Sequence, residues 1–419
     1  MSKFVIIGRK KLFGEVAIGG SKNAVLPILA ATVLINGKST IHNCPNISDT
    51  HTSIEILRHL GCKVLYDGYT AIVDATNIDK TSLPTSHVQK MRSSIIFAGA
   101  LLSRFGEFSS TTPGGCRLGE RPIDMHINAF SALGATFDQN PDIIAAKADK
   151  LIGNTMCLST PSVGATQNAM LAAVYAKGET TITNAAKEPE VVDLQNFLNK
   201  AGANINGAGT ETIAINGVTK LHSAEYSIMP DRIVAGTYLV AGAISRGNIT
   251  LKNVNYKDVS PVAFALAQTG AKIVCHGNEI NLTMKHRPIA LPSPLTTAPH
   301  PGFPTDMQPQ FTALLATAHG TSTINEKLFE ARDAHIAELS KMGAKITNTD
   351  NRRFLIEGVA ALRGRVTYAK DLRGGAALIL AGLASHGITV VENAHYIQRG
   401  YEDIAGDLKQ LGAAISFLK

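Results

Sequence analysis

Met342-Gly343-Ala344-Lys345-Ile346 closes the amphipathic stretch Ile336–Met342 and opens a run of strand-forming residues. The glycine fits the left-handed residue that ends a helix, and a strand begins just after it. The phrase recurs as Leu60-Gly61-Cys62-Lys63-Val64, Leu133-Gly134-Ala135-Thr136-Phe137, Ala201-Gly202-Ala203-Asn204-Ile205, Thr269-Gly270-Ala271-Lys272-Ile273 and Leu411-Gly412-Ala413-Ala414-Ile415. A second phrase interleaves with it: an apolar helix, a glycine, then a short β-branched strand. It covers Ala24–Asn36 with Gly37, Ile95–Phe105 with Gly106, Ala169–Lys177 with Gly178, Ile233–Arg246 with Gly247, Phe311–His319 with Gly320 and Ala376–His386 with Gly387. These six helices are apolar on nearly every side, which predicts burial. Six matches in one register are an internal duplication.

Each unit therefore holds a buried helix, a solvent-facing amphipathic helix and several short strands over about 70 residues. The expected fold is α/β: six repeats in two inside-out domains of three, with buried helices surrounded by short-stranded sheets. That reverses the (β/α)8 barrel, whose helices lie outside. No low-complexity linker marks a boundary, and Met229-Pro230 is the one weak candidate.

The chain has 419 residues, 45% hydrophobic and 17% charged, as in ordinary globular proteins. The net charge of +7 suits an anionic partner. Absent Trp and only 5% aromatics argue against a nucleic-acid stacking surface, and a small polyanionic substrate is the preferred explanation. Five widely spaced cysteines with no C-x-x-C motif suggest neither a disulfide framework nor a zinc site, so no metal is expected. Residues 1–20 lack the long apolar core of a signal peptide. The longest apolar runs are too short to span a bilayer, so a cytoplasmic protein without membrane insertion is expected.

Polar chemistry clusters at the entrances to the buried helices. These read Gly20-Ser21-Lys22-Asn23, Lys90-Met91-Arg92-Ser93-Ser94, Ser162–Asn168, Asp231-Arg232, Thr305-Asp306-Met307-Gln308 and Asp371-Leu372-Arg373-Gly374-Gly375. Capping explains Ser94, Thr166, Thr305, Asp231 and Asp371. It does not explain Lys22, Arg92, Arg232 and Arg373, because a cation opposes the positive end of a helix dipole unless an anion sits nearby. The stretch Thr112–Pro122 holds three Gly and two Pro, reads as a loop, and places Cys116 between Arg117 and Arg121. Neighbouring positive charge favours a thiolate. No P-loop, G-x-G-x-x-G, H-E-x-x-H or EF-hand pattern occurs. The histidines read as surface or core fillers.

On Gly19–Ala24, Met91–Ser94, Pro113–Cys116, Arg121–Asp124, Ser162–Thr166, Pro301–Gln308, Asp371–Arg373 and Arg399–Glu402, in this order, the chain resembles the UDP-N-acetylglucosamine 1-carboxyvinyltransferases. The resemblance covers essentially the whole length. It implies a discontinuous domain of residues 1–20 plus 230–419, a second domain of 21–229 carrying the Cys116 loop, and an active site between them. It implies transfer of the enolpyruvyl group of phosphoenolpyruvate to the 3-hydroxyl of UDP-N-acetylglucosamine without a cofactor. In that reading Lys22 and Asn23 bind phosphoenolpyruvate, with Arg92, Arg121 and Arg399 supporting its anions. Cys116 is the thiol that protonates the enolpyruvyl methylene, forms covalent adducts and is the target of fosfomycin. Arg121, Pro122, Ile123, Asp124 and Met125, with Ser162, Val163, Gly164 and Ala165, contact the uridine diphosphate. Asp306 binds the sugar hydroxyl and acts as base. Leu328 contacts the nucleotide sugar, and Asp371 and Arg373 line the cleft. Catalysis then falls to Cys116, Asp306, Lys22 and Arg399.

The chain departs from the family pattern in two places. Arg117 and Glu120 add charge to the loop, and Ala331, Asp333 and Ala334 stand in Glu330–His335, where the family more usually has Glu-Asn-Arg-Phe-Met-His. The rival readings are the sister 3-phosphoshikimate 1-carboxyvinyltransferase, which lacks the Cys loop, and an inactive nucleotide-sugar sensor. A nucleic-acid binder is a distant third.

Overall fold

A computed structural model describes residues 2–114, 122–138, 143–350 and 352–419. The chain divides into two compact units, one from residues 1–19 and 230–419, the other from 20–114 and 122–229. Each has its own continuous apolar core.

Three helices form the interior of each unit. Lys22–Ala31, Phe97–Phe105 and Val163–Ala173 belong to one, and Arg232–Ile244, Gln308–Leu315 and Leu372–Ala384 to the other. All eight residues of Gln308–Leu315 are buried, as are twelve of the thirteen in Arg232–Ile244. No polar stripe interrupts these helices, so none has a side suited to water. The amphipathic helices Ser48–His59, Asp124–Ala132, Pro189–Lys200, Tyr256–Gln268, Ile336–Lys341 and Ile404–Gln410 bury only one side.

Around them lie six sheets that share one pattern. The strand following a buried helix pairs antiparallel with a strand that itself pairs antiparallel with an edge strand, and on its other side it pairs parallel. In one sheet Glu179–Thr183 pairs antiparallel with Thr212–Asn216 and parallel with Thr155–Cys157. In another Thr321–Asn325 pairs with Arg353–Glu357 and Leu295–Thr296 in the same senses. Among the described residues, five sheets have four strands; the sixth has three, with an isolated parallel bridge, Ser82 to Ser109, in the fourth place. Strand burial alternates, one face toward the helices and one toward solvent.

The six phrase glycines all adopt positive φ, from 89° at Gly412 to 105° at Gly61. They end the amphipathic helices as expected. Five of the buried helices begin earlier than the apolar pattern suggests, as at Val163 rather than Ala169 and Leu372 rather than Ala376, while the other begins at Phe97 rather than Ile95, behind the 3-10 turn Arg92–Ile96. Lys22, Arg232 and Arg373 fall in the first turns, while Ser162, Asp231 and Asp371 precede them as caps.

The N-terminal strands are distant in sequence from their partners. Lys3–Ile7 lies between Ile388–Glu392 and Ala414–Leu418, and Phe13–Ala17 pairs with Asn248–Lys252. Ser21 N–H donates to Met229 O at 2.8 Å within one unit, and Asp231 N–H to Gly19 O at 2.9 Å within the other.

Candidate functional site

The entrances carry caps, though not all those expected. Asp231 accepts from the amides of Ile233 and Val234, and Asp371 from those of Arg373 and Gly374. Val163–Ala173 is capped by Ser162, which accepts from Ala165 N at 3.4 Å, and not by Thr166, whose hydroxyl accepts from Ala186 N at 3.0 Å. Ser94 lies inside the 3-10 turn Arg92–Ile96 and Thr305 opens the turn Thr305–Met307. Neither is a cap, because each follows the residue whose backbone bends in.

Two of the cations at these entrances already have their anions. Lys22, in the first turn of Lys22–Ala31, is buried and donates from Nζ to Asp49 Oδ2 at 2.6 Å. Asp49 comes from the amphipathic helix Ser48–His59 and was not singled out in the sequence. Arg373 Nε donates to Asp306 Oδ2 at 3.1 Å, and its NH2 lies 3.0 Å from the same oxygen. Arg332 NH2 donates to Asp306 Oδ1 at 2.8 Å. One carboxylate is thus clamped between two guanidinium groups whose side chains are 3% and 5% exposed, while its own is 27% exposed. Burial pushes the Asp306 carboxyl up, but Arg373 and Arg332 overcome it and hold the group far below the usual carboxylate range.

Arg332 NH1 also donates to Thr305 Oγ1 at 2.6 Å, and its guanidinium carbon lies 5.0 Å from the centre of the Phe329 ring. Arg373 packs in the same way over Tyr401 at 5.5 Å. Tyr401 lies in a buried polar chain with Thr237 Oγ1 at 2.9 Å, and Gln310 Nε2 donates to that threonine at 3.1 Å. Arg332 Nε, Arg373 NH1, and both polar atoms of the Gln308 side chain are buried without a protein partner. Such groups beside an ionised carboxylate suit a polar ligand or ordered water.

In the other unit, Thr160 Oγ1 contacts Met125 Sδ at 3.6 Å, and a side chain on Gly164 would come within 3.4 Å of the His126 ring. Met125 and the Ser162–Ala165 turn are therefore neighbours; Asp124 and Pro122 are exposed, and Ile123 is half-buried. His126 Nδ1 faces Asn168 Nδ2 at 2.9 Å. The Asn168 oxygen accepts from Gly99 N, so its amide nitrogen donates and His126 Nδ1 accepts. Burial pushes the His126 imidazole down to about 4, with Arg92 adding to the effect. The histidine is neutral and belongs to this polar region.

Arg92 reaches Pro113 O at 3.5 Å, and Gly114 N–H donates to Val88 O at 3.1 Å. A side chain on Gly114 would fall 1.9 Å from Gln89 O, so only glycine fits there. Cys116, Arg117, Glu120 and Arg121 lie outside the described residues. Asn23 and Arg399 are half-buried, Arg399 ending the turn Ala394–Arg399, and Leu328 is exposed. Asp371 serves its helix as cap beside Arg373 rather than standing free. Among the described residues, no helix is long and apolar enough to cross a membrane.

A family model for EPSP synthase (3-phosphoshikimate 1-carboxyvinyltransferase) matches residues 6–408. A UDP-N-acetylglucosamine 1-carboxyvinyltransferase of Caldanaerobacter subterraneus is 48% identical over 415 residues, 99% of each chain, and one of Staphylococcus aureus is 46% identical over 419, again 99% of each. The chain belongs to the UDP-N-acetylglucosamine 1-carboxyvinyltransferase family. An enolpyruvyl transferase of Streptomyces tendae shares the fold with a TM-score of 0.89 and 28% identity, covering 99% of this chain and 98% of that one. An EPSP synthase of Acinetobacter baumannii, at 18% identity and TM-score 0.76 over 100% of both chains, agrees in fold alone.

In this UDP-N-acetylglucosamine 1-carboxyvinyltransferase family member, the sequence did not point to Asp49 and His126 as parts of the polar sites; it marked Thr305 only as a cap and left Arg332 and Tyr401 without partners. Arg332 carried a signal: it is the basic residue kept within the departing Glu330–His335 stretch. Tyr401 lies within the quoted Arg399–Glu402 motif, but Asp49 carried no signal, since only packing brings it to Lys22.

Proposed function

We propose that the chain transfers the enolpyruvyl group of phosphoenolpyruvate to the 3-hydroxyl of UDP-N-acetylglucosamine, releasing phosphate, as the first committed step of peptidoglycan precursor synthesis. The observation that carries this reading is 48% identity over 99% of the chain to a UDP-N-acetylglucosamine 1-carboxyvinyltransferase.

The reaction is addition followed by elimination. The sugar hydroxyl attacks C2 of phosphoenolpyruvate while C3 gains a proton, and phosphate then leaves as C3 gives a proton up again, restoring the double bond in the enolpyruvyl ether. A hydroxyl is a poor nucleophile at neutral pH and needs a positioned acceptor for its proton. Asp306 is that acceptor, ionised at neutral pH. Its two arginines keep it a weak base, so the substrate must draw guanidinium donors away before Asp306 takes the proton. Lys22, Arg92, Arg121 and Arg399 hold the carboxylate and phosphate of phosphoenolpyruvate, with Asn23 beside them. Cys116 supplies the proton to C3. Met125 and Ser162–Ala165, neighbours in one unit, take the uridine diphosphate together with Arg121–Asp124, and Leu328 contacts the nucleotide sugar.

The test is phosphate release from phosphoenolpyruvate with UDP-N-acetylglucosamine, against shikimate 3-phosphate in its place. Release only with the sugar nucleotide supports the reading. Release only with shikimate 3-phosphate selects the sister reaction, and release with neither, from folded protein, selects the sensor.

A further inference from the structure

Four of the six sheets end their central strand in the same way. Asn43, Asn184, Asn253 and Asn393 follow Lys38–His42, Glu179–Thr183, Asn248–Lys252 and Ile388–Glu392, each with φ between 53° and 60°. Each side-chain amide donates across to a carbonyl: Asn43 to Ile228 O at 2.9 Å, Asn184 to Leu158 O at 2.7 Å, Asn253 to Ile18 O at 2.8 Å and Asn393 to Ala369 O at 3.2 Å. In those four sheets a neutral donor on a left-handed residue completes the turn.

The strand Thr321–Asn325 is followed instead by Glu326, which is 2% exposed and, unlike the four asparagines, does not have a positive φ. A buried carboxylate is costly unless fully hydrogen-bonded. Here it is. Oε1 accepts from Thr297 Oγ1 at 2.9 Å, Leu328 N at 2.8 Å and Phe329 N at 3.2 Å, and Oε2 accepts from Thr305 Oγ1 at 2.8 Å. Among the described residues it enters no ion pair. The Thr305 hydroxyl, having given its proton to Glu326, turns a lone pair to Arg332 NH1, and Arg332 donates onward to Asp306.

We infer that Glu326 is a positioning residue: its single carboxylate fixes the Leu328–Phe329 segment relative to the Thr305–Arg332–Asp306 chain. This rests on the reading that Leu328 meets the nucleotide sugar and Asp306 receives the proton of its hydroxyl. The carboxylate, unlike an amide, is acceptor-only. It dictates the direction of the Thr305 proton and through it the grip of Arg332 on Asp306. A structural filler would need neither the charge nor both oxygens.

The test compares Glu326→Gln, Thr305→Val and the double variant with the parent protein. Steady-state kinetics are run for both substrates, and amide exchange is followed at Leu328 and Phe329. Expected for Glu326→Gln, with cooperative unfolding retained, is a fall of at least about tenfold in kcat/KM for UDP-N-acetylglucosamine. KM for phosphoenolpyruvate should stay within about twofold, and exchange at both amides should quicken by about tenfold or more. Thr305→Val should reproduce the kinetic loss without the faster exchange, and the double variant should be no worse than the poorer single one. Parental kinetics with faster exchange would reduce Glu326 to a structural group and overturn the proposal, as would a kinetic loss with unchanged exchange. Should Glu326→Gln not fold, parental kinetics in Thr305→Val would overturn it. If the parent protein releases no phosphate, the functional reading fails on its own. The exchange rates at Leu328 and Phe329 then decide whether Glu326 holds the segment.

Discussion

Arg373 Nε donates to Asp306 Oδ2 over 3.1 Å at the entrance of two buried helices, Gln308–Leu315 and Leu372–Ala384. A cation in a first helical turn opposes the helix dipole, and here a carboxylate from the neighbouring entrance answers it. The carboxylate is consequently ionised but weakly basic. Asp306→Asn keeps the shape and one acceptor while removing the charge. We expect binding of UDP-N-acetylglucosamine to stay within about tenfold by calorimetry, and kcat to fall roughly a hundredfold or more in phosphate release. Near-parental kcat would remove Asp306 as the base.

The same carboxylate bears on acid stability. Its folded pKa lies below its ordinary value of 3.8, so its contribution is present above that value and fades as pH falls below it. The melting temperature difference between the parent and Asp306→Asn should be flat from neutral pH to about 5 and shrink below about 4. A difference that grew on acidification would contradict a carboxyl group depressed by its arginines.

Lys22 and Asp49 form a second buried pair at 2.6 Å. Removing one partner of a buried ion pair is costly, by about 3–5 kcal/mol. Asp49→Asn should therefore lower the melting temperature. Phosphoenolpyruvate, supplying a replacement anion, should restore more of it than the same ligand adds to the parent. Equal thermal shifts in the two proteins would show that Lys22 does not meet the ligand.

His126 titrates below the range of a surface histidine. Its folded pKa of about 4 lies below the ordinary 6.5, so the unfolded chain takes up the proton first. Stability from this group is lost as pH falls from 6.5 toward 4, by on the order of 3 kcal/mol. NMR titration should place its midpoint near the lower value, and Arg92→Met should raise it. An unchanged midpoint in that variant would separate Arg92 from the histidine.

Cys116 lies outside the described residues, and its role rests on the family resemblance. Cys116→Ala should cripple turnover and abolish covalent labelling by fosfomycin, read by mass spectrometry. Full labelling of the variant would point to another thiol, with Cys157 and Cys275 the exposed ones among the described residues.

The architecture was legible because its signals are local. A glycine ends each amphipathic helix, and a helix apolar all round has nowhere to go but inside. The left-handed geometry at Gly61, Gly134, Gly202, Gly270, Gly343 and Gly412 follows directly. Asp231 and Asp371 were recognisable as caps for the same reason. Helix starts were less legible: Lys22 and Arg373 look like loop residues until a carboxylate is brought to each. Asp49 lies 27 positions from Lys22, and Arg332 26 from Asp306, with no periodic pattern linking them. Glu326 was invisible for a subtler reason. It matters by standing at a strand end where four other sheets carry asparagine, and that comparison needs the strand pairings first.

The strand Lys3–Ile7 sits between Ile388–Glu392 and Ala414–Leu418. On a ribosome adding about 5–20 residues per second, its first partner emerges tens of seconds later. Phe4 and Ile6, both buried in the finished protein, meanwhile have no sheet to join. The contiguous unit of residues 20–229 is complete well before then. Synthesis thus delivers the whole sequence of the inserted unit before the strand Lys3–Ile7 can meet either of its partners.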